Sequence, residues 1–497
     1  MMTEIIESEV IRTGTQLRSG SQYKKDLLDA RRVWVGGRQV DDVTQEPTLG
    51  PGIDLIASMF DDQFDPDLVD VLTMEDPQTG ERCSRAWQIP TSHEELVQRR
   101  RLIEYTSLRT AGTFGRPPDL APLVALGMYS RAPLFQRSPA AFSKSNHDFA
   151  ANIERYIEHG RRTNLIAAEV LADPQNDRSA PAGTAAGLLR IVGQTDDGIV
   201  VSGAKSVGTI AAQADEIIFT NLLRPDLPPE GCVWAATRVD AEGIKLICRE
   251  GVSNPGADPY DHPLGYKGEE ADQFIIFDNV FIPNERVFNV GDTELIKLYG
   301  ACSQWGHWHV LTRMWVKAEI FVGVAQLITE SIGTTGIPQV RNMVTEVIAY
   351  AQTLKAFVLA AESSGGMTPG GVYGPDINFL TAGRLHSIDN YPRIIHILQE
   401  LCGQGLVMRF PRAAFDNPEI GHYLEQLLPG HGVSAREKVR LMNFVWDLTA
   451  SSLAGRTAIF ENVNSTPAPF IRERLYAEFD RERMVGMARD LAGLDYE

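Results

Sequence analysis

Positive charge is in short supply in this sequence. Its 47 Lys and Arg residues stand against 65 Asp and Glu, a formal net charge of −18. Nucleic-acid binders need clustered cations that displace phosphate counterions, so that function class is set aside. Cysteine is scarce as well. Cys83, Cys232, Cys248, Cys302 and Cys402 are odd in number, scattered and without a CxxC pair. This argues against a disulfide framework and a structural zinc site, and a metal is not expected. No run of 18 uncharged apolar residues occurs, so no membrane span is expected. The first residues, MMTEIIESEV, lack the basic-then-apolar order of a signal peptide, and a cytoplasmic location is expected. Also missing are a Walker loop, an HExxH pair and a GxSxG elbow. Gly403-Gln404-Gly405 closes a predicted helix rather than opening one, so it fails as a dinucleotide fingerprint. The chain is therefore not expected to bind NAD(P)H itself.

What is present has the make-up of a water-soluble globular protein, 43% hydrophobic and 23% charged over 497 residues. Three zones follow one another. Residues 1–150 are mainly helical by pattern, with a helix over 93–111 and a small hairpin at Arg32-Val33-Trp34-Val35 before Gly36-Gly37. Residues 151–290 carry short β-type runs at 198–202, 216–220, 233–237, 244–248 and 274–277, punctuated by Gly, Pro, Asp and Asn. That spacing predicts an antiparallel barrel or sandwich. Residues 291–497 return to helices near 25 residues long, over 308–332, 339–363, 378–402 and 435–454, with a loop at 364–375. The fold class is α+β, mainly α. A cofactor would lie between the β zone and the bundle.

Several motifs could carry chemistry. Gly115-Arg116-Pro117-Pro118-Asp119 stiffens a loop that presents one arginine, although Arg116 could equally cap a helix or pair with Asp119. Asp173-Pro174-Gln175-Asn176-Asp177-Arg178-Ser179 gathers amides and backbone N–H groups able to bond a planar heterocycle, as many polar turns can. Gly203 and Gly208 permit close backbone approach beside the Thr209 hydroxyl; a β-bulge is the plainer reading. His307 and His309, two apart at the start of the first long bundle helix, point to different faces and do not share a metal. One of them could face the cleft as a base.

These motifs, in this order, resemble the large oxygenase component of 4-hydroxyphenylacetate 3-monooxygenase and its chlorophenol and natural-product relatives. The resemblance runs from about Arg32 to Arg474. It also includes Asp42-Val43-Thr44, Asp278-Asn279 with Ile282-Pro283, Asn417-Pro418 with Tyr423, and Gly455-Arg456 with Phe460-Glu461. It implies an acyl-CoA-dehydrogenase-like fold: helical N-domain, β domain and C-terminal four-helix bundle. It further implies a homotetramer, reduced FAD delivered by a separate NAD(P)H-flavin reductase, and O₂ as co-substrate. The reaction implied is hydroxylation of a phenol-like or hydroxypyridine-like ring through a C4a-hydroperoxyflavin, as in natural-product tailoring. Position by position, Arg116 matches the arginine at the substrate end of the flavin. Gln175, Asn176, Asp177, Arg178 and Thr209 match flavin contacts, as do Val463, Asn464, Ser465 and Thr466. Leu120 and Glu169 stand where hydroxyphenylacetate enzymes carry a tyrosine and a histidine, which moves the expected substrate away from 4-hydroxyphenylacetate. His309 is the candidate base, with His307 behind it. Rival readings are a 4-hydroxybutyryl-CoA dehydratase-like or acyl-CoA dehydrogenase-like flavoenzyme, and a non-catalytic helical assembly subunit.

Overall fold

The computed structural model describes residues 16–135, 144, 147–177, 179, 181, 187–222, 224 and 227–494. Helices dominate both ends of the chain. Near the N-terminus they are Gly50–Asp61, His93–Arg109, Ala121–Tyr129 and Phe149–Thr163. His93–Arg109 starts where expected because Ser92 accepts a hydrogen bond from the Glu95 N–H at 3.2 Å, satisfying an N-terminal donor. It ends two residues early. Ala111 and Gly112 both take positive φ, 49° and 65°, and swing the chain into the Arg116 loop.

The strands form two open sheets. The larger runs in the order Arg38–Val40, Val33–Val35, Ile244–Cys248, Asp272–Pro283, Gly198–Thr209, Arg190–Gln194. The smaller runs Val287–Val290, Val233–Arg238, Glu216–Thr220, Ala167–Val170. Apolar side chains of both meet in one core, where the rings of Phe219 and Phe277 lie 4.9 Å apart. This is sandwich-like packing, and neither sheet closes on itself. The antiparallel expectation holds for most pairings but not all. Val33 pairs with Leu246, and Ala168 with Ile217, in parallel register. Short strands contributed from outside the β run, such as Val33–Val35, arrive from a direction that alternation alone does not fix. That hairpin, from the first zone, is thereby part of the second zone's sheet.

The long C-terminal helices are Gln304–Ile332, Pro338–Ser363, Ile377–Cys402 and Ala435–Thr449. The expected fourth helix breaks at Ala450, because Ser451 caps a new helix, Ser452–Ile459, which runs into a π turn at Phe460–Asn464. Gly366–Met367 and Tyr373–Gly374 pair within the expected loop. Leu96, Ile103, Leu123 and Leu126 of the N-terminal helices pack in the bundle's core rather than with the sheets. The N-terminal helices thus tie the sandwich to the bundle. Pro338–Ser363 is long and apolar enough to cross a membrane by length and composition; here Val344, Val347, Leu354 and Val358 bury one stripe of it in the bundle.

Candidate active site

The Arg116 loop is held from below by one carboxylate. Glu270, fully buried, accepts the backbone N–H of Arg116 at 2.6 Å and that of Gly115, and it also takes a guanidinium N–H of Arg456 at 2.5 Å. Arg456 reaches on to Asp272 at 2.6 and 3.0 Å, where Thr209 also donates at 2.7 Å. Burial raises the Glu270 carboxyl above its ordinary range despite Arg456, whereas Asp272, desolvated too, is held below it by Arg456 and Arg249. Phe460 lies between two arginines, with the Arg116 and Arg456 guanidinium carbons 5.1 and 4.4 Å from its ring centre. The separate motifs at 115–119, 209 and 455–461 therefore meet through Glu270 and Asp272. Sequence reasoning passed over these two acids; the charged run Glu269-Glu270-Ala271-Asp272 at a strand entrance was the available signal.

Above this loop lies a narrow cavity with about 50 Å³ of free volume. Arg116, Leu120, Glu169, His307, Ser465 and Thr466 all line it, converging from four separate segments. Glu169 is nearly enclosed, its side chain 9% exposed. Its carboxylate takes Arg116 Nε at 3.2 Å and the Tyr299 hydroxyl at 3.1 Å. The alternative pairing of Arg116 with Asp119 does not occur. Leu120, Leu123 and Val124 supply an apolar wall. Tyr299, Ser303 and Arg384, unforeseen from the sequence, add to the polar lining. Burial and the neighbouring Glu169 push the Tyr299 hydroxyl well above its ordinary pKa, so it stays a donor.

The two histidines divide as their spacing requires, but in the reverse of the expected ranking. His307 faces the cavity and its ring makes no hydrogen bond among the described residues. Burial, with Arg384, Arg474 and Arg116 adding repulsion, pushes it down to about 3, so it is neutral. His309 is off the cavity, fully buried, with Nε2 at 3.1 Å from the Asp119 carboxylate. It is therefore not placed as a base toward this cavity; it locks the far end of the Arg116 loop to the bundle helix.

The expected flavin contacts are spread out. Gln175, Asn176 and Asp177 stand on an exposed loop beside the sheet, with Asp177 accepting from Ser179 at 2.6 and 2.9 Å. The loop's base is firm. Buried Lys205 donates to Asp173 at 2.8 Å and to the Leu171 carbonyl at 2.9 Å, which joins the 173–179 and 201–205 motifs in space. Thr209 has committed its hydroxyl hydrogen to Asp272 and retains only acceptor capacity. Val463 and Asn464 point to the surface, while Ser465 and Thr466 turn into the cavity. Arg178 lies outside the described residues. The Gln175 and Asn176 amides and the Ser465 and Thr466 hydroxyls are donor and acceptor types that suit the polar edge of an isoalloxazine. Among the described residues no group of three or more His, Cys, Asp or Glu is placed to hold a metal ion.

Family models settle the affiliation. Residues 19–289 match the 4-hydroxyphenylacetate 3-hydroxylase N-terminal model and residues 296–493 its C-terminal model. The chain belongs to the 4-hydroxyphenylacetate 3-hydroxylase family. Within it, the chain is 36% identical to an FADH₂-dependent monooxygenase of Burkholderia cepacia, covering 91% of this chain and 87% of that one. It is 34% identical to the oxygenase component of a 4-nitrophenol 4-monooxygenase/4-nitrocatechol 2-monooxygenase of Rhodococcus opacus, over 92% and 87%. The structure superposes on the oxygenase component of a 4-hydroxyphenylacetate 3-monooxygenase complexed with FAD, with TM-score 0.89, 29% identity and coverage of 95% and 98%. An archaeal 4-hydroxybutyryl-CoA dehydratase shares the fold at TM-score 0.86 and 20% identity, over 97% and 96%.

Proposed function

We propose that this chain is the oxygenase component of a two-component flavin-dependent monooxygenase that hydroxylates a phenol-like ring. The observation that carries this reading is the cavity itself, in which Arg116, Glu169, His307, Ser465 and Thr466 converge against the apolar wall of Leu120. Gln175, Asn176, Asp177, Ser465 and Thr466 would hold FAD, with Thr209 as an acceptor. Bound there in reduced form, FAD would, with O₂, supply one electrophilic oxygen atom, the second oxygen leaving as water. A separate NAD(P)H-dependent reductase delivers the reduced cofactor, the active assembly is a homotetramer, and the enzyme works in the cytoplasm.

The protein's part is to bind, orient and manage a proton. Leu120, Leu123 and Val124 hold the ring's apolar face and keep water out. Arg116 is oriented by Glu169 and by the Glu270 clamp on its backbone, so its guanidinium is fixed before substrate arrives. His307, neutral and unbonded, accepts the phenol proton, which makes the ring carbon next to the oxygen more nucleophilic. A hydroxypyridine-like ring fits the same polar wall, since Glu169 can accept from a ring N–H.

The test is a substrate screen with reduced FAD regenerated by an unrelated reductase. Phenols, chlorophenols, nitrophenols and hydroxypyridines are compared with 4-hydroxyphenylacetate. Hydroxylated product from the first four classes, ahead of 4-hydroxyphenylacetate, is expected. Preferential turnover of 4-hydroxyphenylacetate would reverse the roles given to Leu120 and Glu169, and no product from any ring would sink the oxygenase reading.

A further inference from the structure

The cavity's second arginine is unlike its first. Arg116 is matched by Glu169. Arg384, on helix Ile377–Cys402, is 1% exposed and has no carboxylate of its own. Its Nη2 donates only to the Glu461 backbone carbonyl, at 3.3 Å, and its Nη1 is buried without a partner among the described residues. Glu461, the nearest acid, is engaged by both terminal nitrogens of Arg313, a pairing that holds it below its ordinary pKa despite burial. Lys317 stands close by, pushed down to about 8 by burial. One buried carboxylate therefore serves two guanidinium groups and an amine. Tyr350, raised by burial, adds no negative charge, and His307 and Arg116 face Arg384 across the cavity. Desolvation pulls Arg384 itself down to about 10. A buried cation without a counter-charge is costly and favours any anion that completes it.

His307 poses the complementary problem. It is the cavity's proton acceptor, but three arginines oppose its protonated form. A phenol proton moved to it would not stay there unless the oxyanion left behind were stabilised separately.

Resting on the phenol reading above, we infer that Arg384 Nη1 forms an oxyanion subsite that binds the substrate's phenol oxygen as phenolate, His307 relaying the released proton to solvent. The O–H bond breaks, the electron pair stays on oxygen beside the guanidinium, and the proton leaves through the imidazole. No oxidant is involved in this step.

The probe is 4-nitrophenol, whose phenolate and phenol differ in colour. It is titrated across pH on the full-length protein under anaerobic conditions, with and without reduced FAD. A guanidinium at hydrogen-bonding range lowers the pKa of an acidic partner by about 1–3 units. The bound nitrophenol is expected to ionise at least about one unit below the free compound. Arg384→Met should abolish that shift and Arg384→Lys should retain part of it, while His307→Gln leaves the equilibrium shift in place. Thermal melting of each variant checks that it folds, and the Lys variant carries the test if the Met variant does not. A shift that survives Arg384→Met but vanishes in His307→Gln would overturn the subsite in favour of an imidazolium–phenolate pair. Weakened reduced-FAD binding by Arg384→Met with an unchanged nitrophenol titration would assign the arginine to the cofactor instead. No saturable binding of nitrophenol to the parent protein at any pH would overturn the phenol reading itself.

Discussion

His307 titrates out of the ordinary range because of where it sits, and this has a measurable cost in acid. An unfolded histidine has a pKa near 6.5, whereas burial and three arginines push this one down to about 3. Between those values the unfolded chain holds a proton that the folded chain refuses. Stability from this group is therefore complete above about pH 6.5 and falls as pH drops toward 3. The loss is on the order of 2 kcal/mol by pH 5, from the linkage of proton binding to folding. His307→Gln should flatten that part of the stability–pH curve in urea titrations at pH 7 and pH 5. The same variant should lower turnover of a good phenol substrate by about 10²-fold or more, the usual contribution of a positioned base. His309→Gln should instead show its effect in thermal stability, through the lost Asp119 contact. A larger turnover loss in His309→Gln than in His307→Gln would return the base to His309.

At the scale of elements, the site depends on how a loop, a strand end and a π turn are clamped together. Gly115 has no room for a side chain: a Cβ there would sit 2.1 Å from the Phe460 ring. Gly115→Ala should displace Phe460 and Arg116 together, destabilise the fold by about 1–3 kcal/mol as overpacking does, and raise KM for the aromatic substrate. Glu270→Gln keeps the shape of the clamp but leaves Arg456 short of one charge. A loss of about 3 kcal/mol is expected, as when one partner of a buried pair is removed, read from urea unfolding. Much of this was legible in the sequence only as separate pieces. The Arg116 loop and the 173–179 loop stand out by composition, the Ser465–Thr466 turn only through the family resemblance, and the long helices by periodicity. The clamp itself was not legible, because Glu270 and Asp272 look like ordinary strand-entrance acids until the fold brings Arg456 to them. Arg384 was invisible for a similar reason. An arginine in a 26-residue helix that also carries Arg393 reads as part of a solvated face, and only the packing of that helix against Gln304–Ile332 turns Arg384 inward. The ranking of His307 below His309 was a question of helix phase, which two residues of sequence do not fix.

For the whole molecule, the notable surface is at the C-terminus. Helices Ala468–Glu478 and Glu482–Ala492 leave Phe470 and Tyr476 70% exposed and Leu491 88% exposed. Beside them an apolar hollow of about 670 Å³ is lined by Phe357, Phe379, Leu385, Leu475 and Phe479. Exposed apolar side chains grouped in this way favour association, and the proposed homotetramer would cover them. Tyr476→Asp combined with Leu491→Asp should shift the mass measured by light scattering to smaller species. An unchanged mass would place the subunit contacts elsewhere.

The cavity's small size also bears on kinetics. About 50 Å³ is far short of the roughly 150 Å³ in which a benzene ring is known to fit. A phenol therefore has to wait for wall side chains such as Leu120 or Leu123 to swing aside. In stopped-flow binding the observed rate should climb with phenol concentration and then level off at one ceiling shared by all ring substrates. That ceiling is the protein's own opening rate, and it makes entry a gated event rather than a diffusional one.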